Sequence, residues 1–101
     1  MKISLFCNAG MSTSLVASKV KKYYETVGED NDVEAYDFSQ LIDEGPDSDV
    51  IVLAPQVSWA YDDTVKDYPD KKVLTLTMAE FGSMNGETVG KRIDEFVKTG
   101  K

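Results

Sequence analysis

Cys7 is the only cysteine in the chain, and it separates the strand-like run Ile3-Ser4-Leu5-Phe6 from Asn8-Ala9-Gly10-Met11-Ser12-Thr13-Ser14, after which a helical pattern begins. A nucleophile at a strand-to-helix turn suits anion chemistry. Small and hydroxyl residues let successive backbone N–H groups curl around an anion, and the N-terminus of the next helix adds partial positive charge. The same charge favours thiolate, the attacking form of cysteine. The segment therefore reads as a cradle for a phosphoryl group carried on sulfur, with Cys7 as acceptor and residues 8 to 14 as the phosphate-binding loop. The competing reading of a lone cysteine is a small buried hydrophobe. A packing cysteine, however, has no need of a following loop with Gly10 free to adopt positive φ and hydroxyls at Ser12, Thr13 and Ser14.

The spacing resembles the phosphate loop of the tyrosine phosphatases, Cys-x5-Arg, but the arginine position holds Thr13. Without a guanidinium to clamp the transferring oxygens, hydrolysis loses its main electrostatic help. A phosphocysteine held in such a cradle can survive until a second acceptor arrives, which is what a phosphoryl carrier requires.

Other chemistries are excluded by what the chain lacks. It has no histidine, so Ser-His-Asp hydrolysis, Cys-His hydrolysis, His-ligated zinc and an internal phosphohistidine are ruled out. Any histidine that takes part must belong to another molecule. One cysteine closes no intramolecular disulfide and forms no Cys-x-x-Cys redox pair. A formal charge of −7 repels nucleic-acid backbones and anionic lipid. No cofactor and no metal are expected. Asp30-Asn31-Asp32 opens like a calcium loop without its later ligands, and Asp62, Asp63, Asp67 and Asp70 lack the partners of a metal site. The 101 residues suit one domain. With no signal-like start and no long apolar stretch, a cytoplasmic protein is expected.

Around the cysteine, strands and helices alternate. Lys2 to Phe6 reads as a strand, and Leu15, Val16, Val20, Tyr23, Tyr24 and Val27 recur at helical spacing up to Gly28, with Ser12 or Thr13 as N-cap. Val33 to Phe38 alternates as a second strand, and Ser39 is expected to cap a short helix with Leu41 and Ile42. The β-branched run Val50 to Ala54 suits a strand buried on both faces and ends at Pro55. A helix over Val57 to Tyr68, a strand over Val73 to Thr77, a loop from Met78 to Gly86 and a last helix with Val89, Ile93, Phe96 and Val97 complete the chain.

This alternation predicts a three-layer α/β domain, a four-stranded parallel sheet in the order 2-1-3-4 with helices on both faces, similar to the low-molecular-weight phosphatase fold. Ligands in such sheets sit beyond the carboxyl ends of the strands where the order reverses. Cys7 ends strand 1 and Pro55-Gln56 follows strand 3, so both border one crevice and Gln56 joins the phosphate-binding candidates.

In these residues the chain resembles the enzyme IIB component of the bacterial phosphoenolpyruvate-dependent sugar phosphotransferase system, lactose/cellobiose (chitobiose) family. The likeness lies in Leu5-Phe6-Cys7-Asn8-Ala9-Gly10-Met11-Ser12-Thr13-Ser14-Leu15 and in Asp49-Val50-Ile51-Val52-Leu53-Ala54-Pro55-Gln56-Val57. Phe81-Gly82 with Asn85-Gly86 resembles the family's loop before its last helix, where Tyr-Gly is more usual. Asn8 and Trp59 stand where other small or aromatic residues are expected in close relatives. The resemblance implies a relay in which phosphohistidine on enzyme IIA donates to Cys7, which passes the phosphoryl group to sugar bound by the membrane enzyme IIC.

Three other readings stand beside this one. A low-molecular-weight phosphatase or arsenate reductase shares the strand-Cys-loop-helix device, but Thr13 replaces the arginine of the first and the second cysteine is missing. A regulatory module would use modified Cys7 to alter a partner surface. A receiver domain needs an aspartate where this chain has Ala54-Pro55. Trp59 and Tyr61 are readable as a docking surface or as core packing. Lys19, Lys21 and Lys22 read as a solvated helix face.

Overall fold

The strands β1 (Lys2–Cys7), β2 (Asp32–Asp37), β3 (Val50–Leu53) and β4 (Lys72–Thr75) form one all-parallel sheet in the order β2-β1-β3-β4. The computed structural model describes residues 1–8 and 11–100, the side chains of Met11 and Ser12 excepted. Among the described residues five helices accompany the strands: α1 (Met11–Val27), α2 (Leu41–Glu44), α3 (Tyr61–Asp67), α4 (Met78–Gly82) and α5 (Gly86–Thr99). Two 3₁₀ segments, Phe38–Gln40 and Pro55–Ala60, lead into α2 and α3.

The strand order follows from the apolar pattern. Residues 3 to 7 of β1 and all of β3 are buried, as a strand must be when helices cover both faces of a parallel sheet. β2 lies at one edge, with Val33 buried and Asp32 and Glu34 exposed. In register, Ile3 sits between Val33 and Val50, and Leu5 between Ala35 and Val52.

Helix α1 presents Val16, Val20 and Tyr24, each fully buried, at a spacing of four, which places them on one face. Val89 and Ile93 of α5 are buried in the same core. The two helices approach closely at Gly86 and Gly90, where a Cβ would run into the backbone of Lys19 and the ring of Tyr23. Gly28, at φ +77, supplies the left-handed residue that ends α1.

The sheet order and parallel pairing agree with the expectation. The local caps differ. Helix α1 already includes Ser12 and Thr13 in its first turn, so neither is its N-cap. The short helical piece after β2 is capped by Asp37, not Ser39: Asp37 accepts from the Ser39 N–H, and the Gln40 side chain returns to the Asp37 N–H. A carboxylate one residue before the turn meets the free N–H groups better than a hydroxyl inside it. The expected loop from Met78 to Gly86 contains α4, started by a capping box between Thr77 and Glu80. The region expected as one helix from Val57 is a 3₁₀ segment from Pro55 with a kink at Val57, followed by α3.

Candidate active site

Cys7 is the last residue of β1 and is 2 % exposed. It pairs in register with Asp37 at the end of β2. On its other side the Ala54 N–H donates to the Phe6 carbonyl at 2.9 Å, which holds the end of β3 beside that of β1. The chain then turns at Pro55, the first residue of the 3₁₀ segment. This turn brings Gln56 back over the cysteine, where its Oε1 accepts from the Cys7 thiol at 3.9 Å. Two residues 49 apart in sequence thus meet because β1 and β3 are neighbours.

Helix α1 begins four residues after Cys7, at Met11, and the first N–H groups of a helix have no partner within it. Asn8 is exposed, and so is Ser14. Ala9, Gly10 and the side chains of Met11 and Ser12, all expected in the phosphate-binding loop, lie outside the described residues. Thr13 is fully buried in the first turn of α1, and its hydroxyl has no hydrogen-bond partner among the described residues. Leaving a buried hydroxyl unpaired costs about 1–3 kcal/mol. Thr75 Oγ1 on β4 shares the property.

Asp37 was not anticipated near the cysteine, since only the parallel register of β1 and β2 places it there. Its Oδ2 accepts from the Ser39 hydroxyl at 2.6 Å and the Ser39 N–H at 3.0 Å. These bonds, the hydroxyl first, hold its carboxyl below the usual carboxylate range. The same bonds tie the carboxylate to the turn that follows β2.

Of the two aromatic residues expected beyond β3, Trp59 is 71 % exposed and Tyr61 39 %, which removes the core-packing reading for Trp59. The Trp59 ring meets that of Phe38 with centroids 5.4 Å apart. Lys19, Lys21 and Lys22 are exposed, as a solvated face requires. Among the described residues no group of carboxylates, cysteine or histidine is arranged to hold a metal ion. No helix among them is long and apolar enough to cross a membrane.

Residues 2–92 match the family model for the lactose/cellobiose-specific IIB subunit of the phosphotransferase system (PTS). Similar proteins include the oligo-beta-mannoside-specific EIIB component of Bacillus subtilis (strain 168), 30% identical over 88 residues that cover 85% of each chain. The galactose-specific EIIB component of Lactococcus lactis subsp. cremoris (strain MG1363) is 31% identical over 94 residues, covering 86% of this chain and 87% of the relative. Among solved structures, the lactose-specific IIB domain of Streptococcus pneumoniae superposes with a TM-score of 0.87 over 94% of this chain and 95% of that one at 15% identity, a likeness of fold alone. The cellobiose-specific IIB component of Borrelia burgdorferi reaches 0.71 at 30% identity, covering 90% and 85%.

Proposed function

The chain belongs to the lactose/cellobiose family of PTS IIB subunits, and from this membership and the setting of its single cysteine we propose that Cys7 is a transient phosphoryl carrier. Enzyme IIA supplies the group as phosphohistidine, and membrane enzyme IIC presents the sugar that receives it. The observation that carries the reading is the position of Cys7: the end of a central strand, four residues before a helix start, with the Gln56 amide against its sulfur.

In the first step the thiolate attacks phosphorus, the P–N bond to the donor imidazole breaks and an S–P bond forms. The proton given up by the thiol ends on the imidazole. In the second step a sugar hydroxyl oxygen attacks phosphorus, the S–P bond breaks, sulfur leaves as thiolate and the hydroxyl proton goes to water. In-line transfer of this kind needs positioning and charge stabilisation more than covalent assistance. Backbone N–H groups of residues 8 to 14, the buried Thr13 hydroxyl and the Gln56 amide supply it. The chain contains no histidine, so the donor imidazole comes in trans. The domain acts in the cytoplasm, at the inner face of the membrane, as a peripheral partner of IIC. The relatives named above carry different sugar labels at similar identity, which agrees with sugar choice being made in IIC.

Intact-mass spectrometry tests the reading. Wild type and Cys7→Ser are incubated with phosphoenolpyruvate, the general phosphotransferase proteins and enzyme IIA. A single phosphoryl adduct that requires both IIA and Cys7 is expected, and it discharges when IIC membranes and sugar are added. An adduct on Cys7→Ser, or release of free phosphate as fast as the adduct forms, would reject the carrier role.

A further inference from the structure

We propose that Phe38, Ile42 and Trp59 form the patch by which this domain docks onto the basic cytoplasmic loops of its membrane acceptor, an inference that rests on the phosphoryl-relay reading. Trp59 and Ile42 are 71 % and 77 % exposed, the most exposed of the large apolar side chains among the described residues. Phe38 follows β2 and Trp59 follows β3, the two strands that flank β1, and their rings meet with centroids 5.4 Å apart. Ile42 follows on α2, the helix into which the 3₁₀ segment of Phe38 leads. The patch therefore adjoins the end of the strand that carries Cys7.

Charge selects the partner. No lysine or arginine occurs between Lys22 and Lys66. The patch segments and the elements next to them, the end of β2, α2 and the start of α3, carry Asp37, Asp43, Asp62 and Asp63 instead, all exposed. An apolar centre edged by carboxylates repels anionic headgroups and favours a surface rich in lysine and arginine. Cytoplasmic loops of polytopic membrane proteins carry that excess of positive charge. An exposed tryptophan beside a second aromatic ring is also the composition of an interface hot spot, and a carrier that must leave after each transfer gains from a small contact centred on one such anchor.

Co-sedimentation of the unphosphorylated full chain, with vesicles containing IIC and with blank vesicles of the same anionic lipid, tests the assignment. Wild type is expected to bind the IIC vesicles alone, less tightly as salt rises, with a blue shift of the emission of Trp59, the only tryptophan. Trp59→Ala and Ile42→Ser should each weaken binding about tenfold or more, and Asp62→Asn with Asp63→Asn should flatten the salt dependence. Phosphorylation of Trp59→Ala by IIA should proceed at the wild-type rate, which also shows that the variant folds. Wild-type binding by Trp59→Ala, failure of wild type to bind, or equal binding to blank vesicles would overturn the proposal. So would an equal loss in phosphorylation by IIA, which would assign the patch to the donor. Docking as expected without formation of sugar phosphate would leave this surface standing and remove the relay reading.

Discussion

The thiol of Cys7 and Oε1 of Gln56 lie 3.9 Å apart, joined across the ends of β1 and β3. The amide offers an acceptor to the thiol. Turned about its last torsion, it offers a donor to the oxygens of a phosphoryl group on the same sulfur. On the proposed carrier role, Gln56 would serve both states of the cysteine without moving its backbone.

Gln56→Leu removes that donor while keeping the volume of the side chain. Phosphorylation of Cys7 should slow about tenfold or more, the range for losing one hydrogen bond to a charged group. Gln56→Glu should slow it further, because a carboxylate then faces the incoming anion. Rapid-quench measurement of adduct formation checks both, and equal rates in all three proteins would remove Gln56 from the site.

At Thr13 a test of stability is paired with a test of the proposed carrier role. Its buried, unpartnered hydroxyl is a cost in the free protein, so Thr13→Val should raise unfolding stability by about 1 kcal/mol. The same change should lower the rate of phosphorylation or shorten the life of the adduct. Urea unfolding and adduct decay, measured side by side, test the pairing. A less stable Thr13→Val with unchanged decay would show that the hydroxyl has only a packing role.

Tyr24 should govern alkaline stability. The residue is fully buried, and its hydroxyl donates to Asp94 Oδ1 at 3.1 Å. Burial first, then the Asp94 carboxylate, pushes the phenol well above its ordinary value of 10.0. The folded state keeps the proton where the unfolded chain releases it, so this contribution is intact below pH ~10 and declines as pH rises above that. Tyr24→Phe should cost about 1–2 kcal/mol at neutral pH and make the alkaline decline shallower. Urea midpoints at neutral and strongly alkaline pH decide it, and parallel curves would contradict the assignment.

Gly86 and Gly82 form a contrasting pair. A Cβ at Gly86 would enter the backbone of Lys19, whereas nothing lies within 4 Å of one at Gly82. Gly86→Ala should destabilise the domain by about 1–3 kcal/mol through overpacking of α1 against α5. Gly82→Ala should be neutral or stabilising by up to about 1 kcal/mol. Thermal melts of the two variants give the comparison, and similar shifts would show that the helices separate freely.

What was legible in the sequence was local or periodic. The continuous apolar runs of β1 and β3 identified central strands because burial on both faces leaves no position for a polar alternate. Cys7 before a small-residue loop and a helix announced anion chemistry because backbone N–H groups and the helix start act within a few residues. The sheet order followed from the same patterns together with the handedness of the crossovers. The caps at Asp37 and Thr77 were not legible, since several polar residues near a helix start compete and geometry picks among them.

Only the tertiary structure decided which distant residues meet. The parallel register brought Asp37 beside Cys7, and the hydrogen bonds of Ser39 then committed it to the turn. Phe38 and Trp59 follow two strands that do not pair with each other, and their rings meet only once the segments after β2 and β3 have folded. The orphaned Thr13 hydroxyl is likewise a product of packing: a threonine in the first turn of a helix is usually wet, and this one is buried by what surrounds it. Residue type carries the chemistry and the periodicity, whereas burial, pairing and charge environment belong to the packed chain.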